Sequence, residues 1–173
     1  MWAAAALLRD GDVLATAVVR EAAGAPYVPG LLALREGPAL ERAVRALGQR
    51  PDVLLVNATG RDHPRGAGLA VQLGAVLGLP TIGVTDRPLL AAGHEPGPER
   101  GARAALRVGA GTVAWRLRTR SGARALVVHP GWRTDPDTAA AVVLAACRGS
   151  RTPEPLRLAR RLAREARVAE AGR

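Results

Sequence analysis

The chain has 173 residues, a formal net charge of +10 and one cysteine. That length accommodates one domain with a sizeable core, the lone Cys147 excludes an internal disulfide framework, and the apolar start Met1–Leu8 is too short to span a bilayer. All of the basic residues other than histidine are arginine in an alanine-rich, phenylalanine-free chain, a choice that reads as codon bias. The charge itself still favours an anionic partner, nucleic acid first, and the expected location is the cytoplasm.

In chain order, Met1–Leu8 and Asp12–Val19 read as short strands joined by Arg9-Asp10-Gly11, a hairpin signal with Asp-Gly at the turn. Residues 22–29 form a Gly/Pro-containing connection. Gly30–Gly48 reads as a helix, because Leu31, Leu34, Leu40, Val44 and Leu47 recur near helical spacing. The apolar run 51–56 predicts a buried parallel strand that ends at Asn57, followed by the polar loop Ala58–Arg65. A helix is expected over Gly68–Leu77 and a second buried strand over Pro80–Thr85. Residues 89–105 have little periodicity and read as loop. Val113–Thr119 and Ala125–His129 read as further strands. A helix over 136–147 follows Thr134-Asp135 as an N-cap region and buries Cys147, and an Arg/Leu-rich helix over 155–167 leads into a basic tail up to residue 173. Hairpin first, then strand–helix alternation, predicts one α/β layered domain over 1–173 with a mixed sheet.

Four stretches together resemble the endonuclease V family. They are Pro26–Pro38, Pro51–Gly83 with its His63-Pro64-Arg65 and Gly68-Leu69-Ala70, Leu117–Arg120 leading to His129-Pro130-Gly131, and Pro153–Ala159. The resemblance implies a ribonuclease-H-like mixed sheet flanked by helices, and a Mg²⁺-dependent endonuclease that cuts DNA, or RNA in some members, near deaminated purines, chiefly deoxyinosine. It further implies that Tyr27, Val28, Pro29 and Gly30 form a wedge beside the lesion. By the same resemblance Glu36 is a metal-site carboxylate and His63 a loop histidine near the metal. An aromatic and a rigid proline suit insertion into a base stack, and a weakly paired deaminated base is cheaper to extrude.

Several positions depart from the family's pattern. Asn57 stands where the family carries aspartate, Asp86 stands for a lysine, and Trp132 stands for a histidine. No acid lies in the first strand-like run either. Counted back without gaps from Pro26, Met1–Leu8 matches the family's second strand, so the first is missing; with a gap, Met1–Leu8 is itself the first strand and an edge strand is deleted. Physical sense favours the gapped reading, since loss of a central strand leaves neighbours with unpaired edges. Either way the amino-terminal strand region is shortened.

Mg²⁺ prefers anionic oxygen ligands, so these changes predict an impaired metal site on a retained scaffold. The resulting expectation is a monomeric homologue of DNA-repair type. It would bind nucleic acid through Tyr27–Gly30, Arg65, Arg118 and Arg120, helped by Arg124 and the helix arginines Arg157, Arg160, Arg161 and Arg164, with cleavage impaired or lost. Two alternatives stand beside it. One is an active enzyme that holds Mg²⁺ with Glu36 and a relocated Asp86, aided by Asp62 and His63; the other is a truncated, non-functional homologue.

Overall fold

The structure, a computed structural model, describes residues 1–172; the expected basic tail ends at Arg173, which lies outside the described residues. It is a mixed α/β fold with two separate sheets. Strands β1 (Trp2–Arg9) and β2 (Asp12–Arg20) form an antiparallel hairpin of their own. Asp10 and Gly11 both have positive φ, 53° and 99°, as a hairpin turn twisted to match its strands requires. The larger sheet has the order β3-β4-β7-β6-β5, from β3 (Leu54–Val56), β4 (Thr81–Thr85), β5 (Arg103–Val108), β6 (Gly111–Leu117) and β7 (Leu126–Pro130). Only β3 and β4 are parallel, with Leu55 opposite Ile82, as their unbroken apolar character predicts.

Helix α1 (Leu32–Arg45) packs on the hairpin and on α2 (Leu69–Leu77), α3 (Pro136–Ala146) covers β6 and β7, and α4 (Glu154–Ala171) lies along β1. The α3 start follows its sequence signal. Asp135 accepts hydrogen bonds from the Asp137 and Thr138 amides at 2.9 Å, and Pro136 occupies the first turn, where its missing N–H is not needed. Pro38 interrupts the hydrogen bonding of α1, and nearby the Gly24 amide donates to the Arg35 carbonyl at 3.0 Å, tying the preceding loop to the helix.

The core is split in the same way as the sheets. One cluster joins Ile82, Val84, Leu117, Leu126 and Val128 to Ala139 and Val143 of α3, and includes the buried Cys147, whose thiol burial pushes up to about 11. A second joins Ala3 and Ala5 of the hairpin to Ala39, Ala43, Val44 and Leu47.

Two expectations are corrected. Residues 103–108, read as the end of a loop and the gap before a strand, form β5, paired with β6 around Gly109-Ala110 and anchored by the fully buried Leu106. The gapped reading, which put Met1–Leu8 at the heart of a single sheet, also fails. β1 bonds only to β2, and a groove separates its other edge from β3. With one edge unpaired, β3 itself shrinks to three residues of the expected longer strand.

Candidate nucleic-acid interface

The end of β3 and the first turns of α1 meet at the mouth of that groove. Asn57 follows the last strand residue and is exposed, and the Arg160 guanidinium of α4 donates to its Oδ1 at 3.4 Å. Glu36, half-buried on α1, lines the same groove with Asn57 and Arg160. Burial pushes the Glu36 carboxyl above its ordinary range, only partly opposed by the adjacent Arg35. A Mg²⁺ site needs several anionic oxygens. What the chain offers is one carboxyl biased toward its neutral form, one neutral amide and a guanidinium that already approaches the amide. Among the described residues no group of three or more His, Cys, Asp or Glu side chains lies close enough to hold a metal ion. The donor set does not fit Mg²⁺.

The relocated-carboxylate reading fares no better. Asp86 is exposed beyond the end of β4 and is engaged by Arg151 at 2.7 Å and Arg124 at 3.6 Å. The Arg151 hydrogen bond, with the charges of both arginines, holds its carboxyl below the ordinary range against the opposing effect of burial. Asp62 is fully buried and accepts the amides of Leu89, Leu90 and Ala91 at 2.6, 2.7 and 2.8 Å. It pins the following loop and does not act as the ligand expected of it. The structure therefore does not bring Asp86 and Asp62 together with Glu36 and His63.

The Tyr27–Gly30 turn and the loop after β3 do come together. Gly30 has φ +77°, a conformation that L side chains rarely adopt. Arg65 Nη1 donates to the Gly30 carbonyl at 2.8 Å, and a Cβ on Gly30 would stand 3.9 Å from both Arg65 Nη1 and His63 Nε2. The Arg65 amide in turn donates to His63 Nδ1 at 3.2 Å. The turn is thereby braced from below, while Tyr27 is 68% exposed, with Val28 and Pro29 exposed beside it. An aromatic ring on a braced, proline-containing turn beside an arginine has the shape and charge to enter a nucleic-acid stack.

The expected phosphate contacts divide. Arg120 is exposed. Arg118 is largely covered and spends its guanidinium on the carbonyls of Pro96 and Gly97, each at 3.0 Å, and of Ala123. It clamps the loop ahead of β5 and has little left for a phosphate. Arg124 faces Asp86, Arg157 pairs with Glu154, and Arg161 lies 3.9 Å from Glu165. Exposed ion pairs of this kind are weak, and a phosphate can compete for their cations. Trp132 is partly exposed, its backbone held by the Thr81 side chain and amide.

One buried group carried no expectation of its own. His129 on β7 is fully buried, bonded through Nε2 to the Thr85 hydroxyl at 2.9 Å, with Nδ1 lacking a partner. Burial lowers it to about 4 despite the opposing charge of Asp62, so the ring is neutral at pH 7. Its place in an otherwise apolar strand, within the His129-Pro130-Gly131 stretch, is the signal that the sequence offers.

The profile of the Endonuclease V family matches residues 1–161. An endonuclease V of Xanthomonas oryzae pv. oryzae (strain PXO99A) is 42% identical over 163 residues, which cover 92% of this chain and 69% of that protein. One of Azotobacter vinelandii is also 42% identical, over 92% of this chain and 74% of its own length. Among solved structures, the endonuclease V of Streptomyces avermitilis superposes with a TM-score of 0.88 at 42% identity, covering 94% of this chain and 71% of its own. Human endonuclease V gives 0.85 at 31% identity, over 94% of this chain and 75% of its own. The endonuclease V of Ciona intestinalis shares the fold at 20% identity and a TM-score of 0.77, over 91% of this chain and 74% of its own, and was solved with a 24mer DNA containing an inosine.

Proposed function

Because this chain belongs to the endonuclease V family, we propose that it recognises deaminated purines in nucleic acid and that its metal-dependent cleavage is lost or strongly reduced. The observation that carries the reading is the chemistry at the mouth of the groove, where Glu36 is left with Asn57 and Arg160 in place of further carboxylates. If each missing charge costs ~3 kcal/mol of transition-state stabilisation, two such losses amount to roughly four decades of rate. The recognition half is supported by the exposed Tyr27–Gly30 turn, by its bracing through Arg65, and by the inosine-containing DNA in the Ciona structure.

A direct test measures cleavage and binding side by side on a deoxyinosine-containing duplex, with Mg²⁺ and with Mn²⁺. The expected result is salt-sensitive binding that Tyr27→Ala weakens, without cutting above background. Cleavage that disappears in both Glu36→Gln and Asp86→Asn overturns the reading in favour of an active enzyme with a relocated carboxylate. Absence of binding at low salt overturns it in favour of a non-functional homologue.

A further inference from the structure

Helix α4 carries its arginines in two states. The three glutamates of the helix are already committed, Glu154 to Arg157, Glu165 to Arg161 and Glu170 to Arg20 of β2. Arg160, Arg164 and Arg167 are exposed and have no carboxylate partner among the described residues. Positions i, i+4 and i+7 share one side of a helix, so these three form a single cationic stripe. The leucine and alanine side of α4 is turned inward, with Leu156, Ala159 and Ala163 lining the groove beside β1.

The stripe begins at the candidate site. Arg160 Nη2 donates to Asn57 Oδ1 at 3.4 Å, and both side chains line the mouth of the groove with Glu36. With its oxygen facing the guanidinium, the Asn57 amide keeps its NH₂ group, which has two donors, for another partner. An aspartate at position 57 would offer acceptors only. A guanidinium beside an amide donor is a pair that suits an anionic oxygen, at the very place where the family resemblance leads to the expectation of a cation. From Arg160 the stripe runs about 10 Å along the helix axis to Arg167. That length matches about three steps of one nucleic-acid strand at ~3.4 Å of axis per phosphate.

We propose that Asn57 and the Arg160–Arg164–Arg167 stripe form a metal-free phosphate track that holds the backbone of one nucleic-acid strand. The track rests on the reading that this chain binds deaminated nucleic acid, and it names what takes over the backbone contact at the same site. Two observations select this partner. The stripe is continuous with the candidate interface, because the Tyr27–Gly30 turn leads directly into α1, which brings Glu36 to the same mouth. A lipid surface would require an apolar face presented beside the cations, and here the leucines and alanines of α4 are packed inward.

The experiment measures binding of the full chain to a deoxyinosine-containing duplex over a range of salt concentrations, in EDTA and in Mg²⁺. Wild type is expected to bind equally well in both, since the cations belong to the protein; loss of binding in EDTA overturns the proposal. Arg160→Gln/Arg164→Gln/Arg167→Gln should reduce the slope of log affinity against log salt by roughly 2 to 3, one phosphate contact being worth ~0.7 to ~0.9. The control Arg9→Gln/Arg45→Gln/Arg107→Gln removes the same charge from exposed positions on β1, the end of α1 and β5. Equal slopes for the two triple variants overturn the track in favour of diffuse attraction. In EDTA, Asn57→Asp should weaken binding by roughly tenfold or more, because an anion replaces a donor; unchanged affinity removes Asn57 from the track and overturns the proposal as stated. Should the stripe variant fail to fold, Arg164→Gln alone is expected to lower the slope by ~0.7 to ~0.9, and no change overturns the proposal. Stripe-dependent binding to phosphatidylserine vesicles, with no effect of the stripe on the duplex, would assign the helix to a lipid surface instead. Wild type that binds no duplex at low salt sinks the functional reading and the track together, whereas binding that Tyr27→Ala weakens and the stripe variant does not sinks the track alone.

Discussion

The large sheet and the amino-terminal hairpin are built from similar residues and completed to different degrees. In the large sheet, β4, β7 and β6 are bonded on both sides, β7 is buried along its whole length, and several buried polar groups beside it are well satisfied, although Trp115 Nε1, Arg116 Nε and His129 Nδ1 are not. Asp62 collects three amides, Thr81 Oγ1 donates to the Ala70 carbonyl and accepts the Trp132 amide, and Thr119 donates to the Arg151 carbonyl. The hairpin is held almost entirely by side-chain packing of Ala3 and Ala5 against α1 and by α4 along its face. Apolar packing is non-directional, so it can hold an element in place without completing its backbone ladder. The candidate site sits on the boundary between these regions and inherits the incompleteness of one of them.

The largest expected effect breaks the well-satisfied side. Asp62→Ala removes the acceptor of three loop amides and should cost roughly 4 kcal/mol of unfolding free energy, measured by urea denaturation. A loss below about 1 kcal/mol would show that water replaces the carboxylate and that the contrast between the regions is overstated.

Next comes the pH dependence set by His129. Its folded value lies near 4 and its unfolded value near 6.5, so between these limits the unfolded chain binds the extra proton. Stability must then rise with pH through this window and fall as pH drops from about 6.5 to about 4, by roughly 3 kcal/mol in total. Denaturation midpoints of wild type and His129→Gln across this range check it; an unchanged slope in the variant would assign the acid sensitivity elsewhere. Loss of the Asp86 pairs belongs to a lower window, because a carboxyl held below its ordinary range loses its contribution only as pH falls through that folded value.

On the hairpin side, Leu47→Ala should cost about 2 kcal/mol, less than the roughly 4 kcal/mol expected for Leu117→Ala in the large sheet. The reason is that the groove beside Leu47 lets neighbours relax into the space. Equal costs in thermal or urea unfolding would mean that the hairpin is as rigid as the sheet. The smallest stability effect is that of Arg65→Ala, about 1 kcal/mol or less for an exposed hydrogen bond to Gly30. Its binding effect should be larger, since it both unbraces the Tyr27 turn and removes a cation. A variant that binds the inosine duplex as wild type does would separate the turn from the interface.

Much of this organisation was legible in the residues. The Asp10-Gly11 hairpin, the parallel β3–β4 pair, the Asp135 cap and the Arg-rich last helix follow from local rules of turn chemistry, apolar runs and capping. Strand β5 was not legible, because Arg103-Ala104-Ala105-Leu106-Arg107-Val108 has little intrinsic strand character and takes it from pairing with β6. Arg118 looked like a phosphate contact because a sequence does not show how many carbonyls a side chain will meet. Asp62 and His129 were hidden for the same reason.

The sequence by itself determined the family, the order of the elements other than β5, and the replacement of an expected carboxylate by Asn57, since these depend on residue identity and short-range spacing. Only the tertiary structure decided that Asp86 is committed to Arg151 and Arg124, that Arg65 braces Gly30, and that β1 and β3 border an open groove. Those outcomes turn on contacts between residues far apart in the chain, where competing partners and unpaired edges become visible only once the elements are packed.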